Sequence, residues 1–571
     1  MRKGKPSMKL RNTLTRANIF ASLLTALVAW ISLELFLSGN LILGHFSQFM
    51  LPSEMFGLPA QLRDHGLTAF FHIGHGGWDG QFYYSMSNDV LALRDTVAHL
   101  DNPAYRYQRI GIPLIAKIAS KLMGQTWVSP LIYYSTNLGL VLLATLLGSR
   151  WFQRRGRSPY LILLWSLAAG VQITILNGLP DAGADALLIL ALVCWYERRT
   201  ALYVLAMSFA ALAREAYVVI PFFAGAGAVL GWVLNRETAA RPNRLPVIAH
   251  ALPVAVMLAW QVYIRLHIGS PQAGAVLLTW PFVDALRYIS LGLHGLHPVV
   301  GGRNGHLEAV GLILHLLLVI TTGIAMLVVL RACLRSKVKH YEVAGFALGF
   351  GALSVMYLCL NHIVVNHFSG YFKASDMFLF ALPFMLVVVD KVIPRALTIA
   401  LTVTAAFFFF LFVRHRLNNT HWIEPSPSAQ ASVMDRAACL SSFDAQTTPL
   451  AITEVGGASW IARLLGRKLM LVEVKLTNRS NVAFSPTKGA GSVNVGYQWL
   501  DEKTGKVVVD GARAMLSDQL QPGQSAILTV VVDKPKSPGD YRLVISPVQE
   551  LCAWFYQVNK SSAFDIVVHM R

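Results

Sequence analysis

Charge is what this chain has least of. Of its 571 residues only 14% are charged, where a soluble domain carries about a quarter. With 54% hydrophobic residues and a mean hydropathy of +0.50, a soluble globular protein is excluded. Acid is scarcer than base, 30 Asp and Glu against 49 Lys and Arg. In a soluble chain that excess would point to nucleic acid. Here the basic residues gather in short segments between apolar runs, where they set membrane orientation, and nucleic-acid binding has no support. Cysteine is also sparse: five are scattered, with no CxxC and no metal-like spacing with histidine. His72, His75, His294, His297 and His306 fall on one side of the chain's topology, but in no recognisable ligand spacing, so no metal ligands are assigned. Gly74, Gly76 and Gly77 follow no strand and precede no GK[ST], which excludes a phosphate loop. No internal repeat of the kind found in many transporters is present.

What the chain does have is long apolar runs. A span needs about 20 apolar residues. Candidates start at Ile19, Val128, Pro159, Ala182, Ala201, Ala216, Pro246, Leu307, Val343, Ala374 and Pro394, which gives about eleven spans. The first run follows a basic N-terminus and is too long for a signal-peptide core, so it reads as an uncleaved span. The segment from Ile110 to Met123, with Lys117 and Lys121, reads as interfacial or as half of a longer helix. Arg2 to Arg16 hold the N-terminus in the cytoplasm. Every second connection after it is basic: Arg150 to Arg157, Arg198 and Arg199, Arg236 to Arg244, Arg331 to Lys339, then Lys391 and Arg395. This alternation places His72 to Arg109, His267 to His306, Asn361 to Lys373 and everything after Arg414 on the extracytoplasmic side.

Residues 429–571 differ in kind. Apolar residues alternate with polar ones at Val472, Val474 and Leu476, at Val493, Val495, Tyr497 and Trp499, at Leu528, Val530 and Val532, and at Tyr541, Leu543 and Ile545. Turn residues separate the runs, as in an antiparallel, immunoglobulin-like β-sandwich. Trp460, Trp499, Trp554 and Phe555 are candidate sugar-stacking residues, although the phase of Trp499 assigns it to the core. Cys439 and Cys552 are the only cysteines of this part, and an oxidising compartment favours their pairing. The chain thus divides into a membrane module (1–414, first outer loop 44–108), a Pro- and Ser-rich linker (415–428) and the sandwich (429–571).

The most distinctive polar stretch is WDGQFYY, followed by AYRYQR. Asp79 lies between Trp78 and Gly80, ahead of Gln81, Tyr83 and Tyr84. An Asp before a helix ordinarily caps it. A carboxylate at a membrane surface also suits the activation of a hydroxyl, and the guanidinium groups of Arg106 and Arg109 suit a phosphate. They suit interfacial anchoring equally. Asp181 and Asp185 lie one turn apart near a span end, and Arg214 and Glu215 sit at similar depth. These four read either as a polar wall for the donor or as ion pairs between hairpins. Lys373 is a further candidate for phosphate, or an anchor at a span edge.

WDGQFYY, AYRYQR and PDAGADALL…ALAREAYVVIP resemble bacterial integral-membrane glycosyltransferases of the GT-C fold, and the first-loop WDG is similar to the glycosylphosphatidylinositol mannosyltransferase family. The resemblance covers roughly Ile19 to Arg414. It implies a GT-C-like polytopic α-helical membrane protein of the bacterial inner membrane. It implies an inverting transferase with a polyprenyl-phosphate sugar as donor and an extracytoplasmic glycan, lipid or protein as acceptor. By motif match Asp79 is the catalytic acid; Asp89 is the nearest second acid, in a context the family does not share. Arg106, Arg109, Arg214 and Lys373 become candidates for the donor phosphate. Trp78, Gln81, Tyr83, Tyr84, Asp181 and Glu215 become candidates for the sugar and acceptor pocket. No cofactor is implied, and divalent metal use is left open. Two other readings stand beside it: an O-antigen-type ligase or polymerase relying on His294, His297 and Arg303, and a lipid-linked sugar transporter indifferent to Asp79.

Overall fold

The computed structural model describes residues 14–39, 56–65, 78–234, 244–270, 277–297, 302–336, 340–418, 439–456, 460–464, 468–485, 492–516, 519–535, 537–550 and 552–570. His72, Gly74, His75, Gly76, Gly77 and linker residues 419–428 lie outside the described residues. The chain forms two compact units, one helical and one that holds the strands together with the end of the first helix and Trp78.

The helical unit is a multi-pass membrane bundle. Its described helices include α1 (Arg16–Gly39), α2 (Gly80–Asn88), α3 (Pro103–Tyr107), α4 (Gly111–Leu122), α5 (Pro130–Arg154), α6 (Ala169–Leu176), α7 (Asp181–Tyr196) and α8 (Thr200–Ala213). They continue with α9 (Val219–Leu234), α10 (Val247–His267), α11 (Val283–Leu293), α12 (Gly302–Arg335), α13 (Tyr341–Leu358), α14 (Phe368–Ser375), α15 (Phe378–Val388) and α16 (Arg395–Asn418). Among the described residues eight helices are long and apolar enough to cross a membrane, and nine if Pro159–Ser166 and α6, bent by 56°, count as one span. The expectation of about eleven counted α7 and α8 as spans as well. At 16 and 14 residues and a rise of about 1.5 Å each, they reach only about 24 and 21 Å, short of a hydrocarbon core of about 30 Å.

The apolar pattern explains which helices sit inside. DAGADALLILALVCWY is apolar almost all round, and α7 is buried along nearly its whole length, as such a helix must be. In α1, Leu23, Leu27 and Trp30 remain exposed while Ala21, Ala29 and Phe36 are buried, so one face is left for lipid. The segment after Arg109 is the 12-residue α4, too short to span. Glycine sets one close crossing: a Cβ on Gly111 would lie 2.6 Å from both the Ala213 amide and the Phe209 carbonyl. That approach of α4 to the end of α8 brings Arg109 beside Glu215.

The second unit holds two antiparallel sheets. One has the order β1 (Ala445–Gly456), β2 (Lys468–Asn478), β5 (Ser525–Asp533). The other has β4 (Val507–Met515), β3 (Val493–Asp501), β6 (Gly539–Gln549) and β7 (Ala553–Trp554), with β8 (Phe564–Met570) also on β6. The alternating rows read from sequence meet here: Val472, Val474 and Leu476 share one core with Val493, Val495, Tyr497, Trp499, Val530, Val532, Leu543 and Ile545. Trp499 is fully buried and its indole N–H donates to the Asp533 carbonyl at 2.7 Å. Phe555 is also core. Trp554 lies under the Arg513 guanidinium, 4.5 Å from its ring centre. Trp460 keeps 38% exposure, so stacking on a sugar is not open equally to all four aromatics. Cys439 and Cys552 form a disulfide with Cα atoms 5.6 Å apart.

Candidate active site

The site is built on α2. All nine of its residues, GQFYYSMSN, are buried although half are polar, because both ends are pinned by backbone. At the C-terminal end Asn88 exchanges two hydrogen bonds with Val128, accepting from its amide at 2.8 Å and donating to its carbonyl at 3.2 Å. The Tyr84 hydroxyl donates to the same carbonyl at 3.0 Å. At the N-terminal end Gly80 lies on the turn between α6 and α7. A Cβ there would sit 1.9 Å from the Asn177 carbonyl oxygen, so this position of the WDG motif requires glycine. Gly178 in that turn has φ +67°, a conformation glycine adopts without strain.

Asp79 precedes this helix, at the position from which an Asp would cap it. It does not do so: its backbone is already helical (φ −55°, ψ −24°) and its side chain makes no cap hydrogen bond. The carboxylate instead accepts from Arg106 Nη2 at 2.9 Å. Its side chain stays 49% exposed while that of Arg106 is 8% exposed. Burial pushes the Asp79 carboxyl up, but the Arg106 guanidinium, with Lys373 and Arg109 nearby, outweighs this and holds it below the usual carboxylate value. Asp79 is therefore an ionised, half-open carboxylate.

Arg106 is set by α3. Asn102 caps that helix through the Tyr105 amide, with Pro103 in the first turn, where its missing N–H costs nothing. Arg106 bridges two acids, since Asp101 takes Nε at 2.8 Å and Nη2 at 2.6 Å. The guanidinium also lies 4.7 Å from the Phe82 ring centre and 3.5 Å from the Tyr83 hydroxyl. Burial raises the Tyr83 phenol above its ordinary value, so it stays protonated. Arg109 forms a two-armed pair with Glu215, both arms 2.8 Å.

Arg214 is 5% exposed. It donates from Nη1 to Asp185 at 3.4 Å and to the Tyr217 hydroxyl at 3.1 Å, and from Nη2 to the Ala374 carbonyl at 3.0 Å. Asp181 is 3.9 Å from its Nε. Lys373 differs from these three arginines. Among the described residues its ammonium makes no ion pair or side-chain hydrogen bond, yet it is within electrostatic reach of both Asp79 and Asp181.

The structure thus brings Asp79, Tyr83, Arg106, Arg109, Asp181, Arg214, Glu215 and Lys373 into one charged region. Arg214 is enclosed by Asp181, Asp185 and the Tyr217 and Tyr357 rings, and its fork is taken up by protein acceptors. Tyr84 is spent on the Val128 carbonyl. Gln81 is buried, and Trp78 sets its ring 5.1 Å from that of Phe36. Asp89 caps the following turn, accepting from the Leu93 and Arg94 amides at 2.9 and 3.0 Å. Two acids escaped the sequence reading. Asp101 stands directly before Asn102 and Pro103, where no spacing singles it out. Asp376 stood inside an apolar span, a position that is itself a functional signal. Its buried carboxyl interacts electrostatically with that of Asp185, and its Oδ1 has no hydrogen-bond partner among the described residues. Among the described residues no His, Cys, Asp and Glu side chains group to hold a metal ion. His294 bonds the Ser290 carbonyl in its own helix and His297 is buried against Tyr288, while the Arg303 side chain lies outside the described residues.

No protein-family model matches the chain, and no curated protein matches it. Among solved structures it is similar to the arabinosyltransferase EmbB from Mycobacterium smegmatis, determined by single-particle cryo-electron microscopy. The identity is 10% and the TM-score 0.28, over 98% of this chain and 66% of that one. The chain therefore spans just under two thirds of that protein's length, and no residue is carried over from it.

Proposed function

We propose that this chain is a GT-C-like membrane glycosyltransferase that moves a sugar from a polyprenyl-phosphate donor to an extracytoplasmic hydroxyl acceptor, with Asp79 as general base. The observation that carries this reading is the state of Asp79: it stands at a helix start without capping it, ionised, half open, and within reach of Lys373, whose ammonium makes no ion pair among the described residues. The resemblance of WDGQFYY and AYRYQR to the GT-C enzymes supports the same assignment.

In the reaction the acceptor oxygen attacks the anomeric carbon while its proton passes to the Asp79 carboxylate. The bond from that carbon to the phosphate oxygen breaks, and its electron pair leaves on the lipid phosphate. A positioned base contributes about 10²- to 10⁴-fold. Arg106 keeps Asp79 ionised and fixes its direction. The leaving phosphate needs no strong acid, but it does need positive charge beside it. Lys373 supplies this, because Arg106, Arg109 and Arg214 are each matched by carboxylates. Asp181 and Tyr83 remain as polar groups toward the sugar. The strand unit is read as extracytoplasmic, because nine crossings, with the bent pair counted as one span, lead outward from a cytoplasmic N-terminus.

The test is donor choice by the purified full chain. Label should pass to an acceptor from polyprenyl-phosphate sugars and not from nucleotide sugars. Transfer from nucleotide sugars alone would overturn the reading.

A further inference from the structure

The cation proposed for the phosphate sits two residues before the end of a broken helix. α14 carries Lys373 and stops at Ser375; Asp376 and Met377 form a turn, and α15 resumes at Phe378. A break inside an apolar span leaves the last carbonyls of the first half in need of donors that neither water nor lipid supplies there. Arg214 supplies one: its Nη2 donates to the Ala374 carbonyl at 3.0 Å across 160 residues of sequence.

Arg214 is itself held rigidly. Asp185 and the Tyr217 hydroxyl take Nη1, and Asp185 also accepts from the Trp165 indole N–H at 3.2 Å. The Tyr217 and Tyr357 rings lie 5.1 and 5.7 Å from the guanidinium carbon. On the other side of the break stands Gly170 of α6. A Cβ there would lie 2.3 Å from Asp376 Oδ2 and 2.7 Å from the Lys373 Cα. The stretch from Lys373 to Asp376 is thus gripped between the start of α6 and the guanidinium of Arg214.

We propose that Arg214 is a positioning residue for Lys373: it bridges Asp185 to the Ala374 carbonyl and so fixes the direction of an ammonium that meets the donor phosphate. This rests on the reading of Lys373 given above. A guanidinium is required because the bridge uses two arms in a fixed fork, which an ammonium cannot reproduce. Arg214 does not touch the phosphate, so its loss reaches phosphate affinity through Lys373; any effect through Asp181, 3.9 Å away, falls on the sugar, which sugar-free polyprenyl phosphate does not carry.

The experiment uses the full chain in detergent, with Lys373→Met, Arg214→Gln, Arg214→Lys and Lys373→Met/Arg214→Gln. Two quantities are read, the donor KM against kcat and the inhibition constant of sugar-free polyprenyl phosphate. Lys373→Met should weaken that inhibition by about tenfold or more, the size of one lost charge-assisted hydrogen bond. Arg214→Gln should weaken it similarly and the double variant no further, because the two act as one unit. Arg214→Lys should stay weak although the charge is kept, and it carries the test if Arg214→Gln does not fold. Additive losses, or wild-type inhibition of Arg214→Lys, would overturn the positioning role. Unchanged inhibition of Lys373→Met would instead remove the phosphate assignment on which it rests.

Discussion

Asp79 has one partner that decides its chemistry. In the unfolded chain its carboxyl titrates at about 3.9. In the folded protein burial raises it, but Arg106, Lys373 and Arg109 lower it further, so the net shift is downward. The stabilisation from this shift is fully present above about pH 4 and is lost as pH falls through the lower folded value. The pH–rate profile should accordingly show no acid limb from Asp79 between about pH 5 and 8. A limb with a midpoint near pH 6 that disappears in Asp79→Asn would contradict the ionised state. Gly80 gives a second test. Since a Cβ there would meet the Asn177 carbonyl at 1.9 Å, Gly80→Ala should displace α2 and Asp79 with it. A misplacement of about 1 Å can cost about 10²-fold in rate, so transfer should drop by at least about tenfold, and wild-type turnover would refute the contact's role. Asp79, Arg106, Arg109 and Glu215 were legible in sequence because charged and aromatic residues stand out in a chain so poor in charge. Their pairing was not, since Arg109 and Glu215 lie 106 residues apart. The same long-range partners turned Arg214 from a candidate ligand into an enclosed group.

At the scale of elements, hydropathy marked the long apolar helices but not α2, α3 or α11, and its count of about eleven spans exceeds the eight or nine found among the described residues. Each candidate start has a helix beside it, but α7 and α8 stop at 16 and 14 residues. Apolar composition records burial, and protein can bury a helix as well as lipid can. α7 is apolar because other helices surround it. The break between α14 and α15 was also invisible, because the apolar pattern runs through it and only Asp376 marks the place. The strands were read more directly: period-2 alternation put Val472, Val474, Leu476, Val493, Val495, Tyr497 and Trp499 on inward faces, and they form the shared core. Strand order and the close approach of the sheets depend on register, which single-strand patterns do not carry.

For the molecule as a whole, the helical unit holds the charged region and the strand unit has its own core and its own disulfide. Cys439 and Cys552 close a separation of 113 residues, and a loop of about 100 residues is worth about 4.7 kcal/mol in the chain-entropy model. Cys552→Ser should make the strand unit markedly more sensitive to protease, while the helical unit keeps its thermal midpoint. An unchanged digestion rate would show that the bridge contributes little. The central claim is that Asp79 removes a proton in the transfer step itself. A group acting only in the transition state changes turnover far more than ground-state binding. The most direct measurement is therefore single-turnover transfer from purified polyprenyl-phosphate sugar by Asp79→Asn, with donor binding measured on the same preparation. Normal insertion, near-normal binding and a rate lower by about 10²-fold or more are expected; near-normal transfer by the folded variant would contradict the assignment.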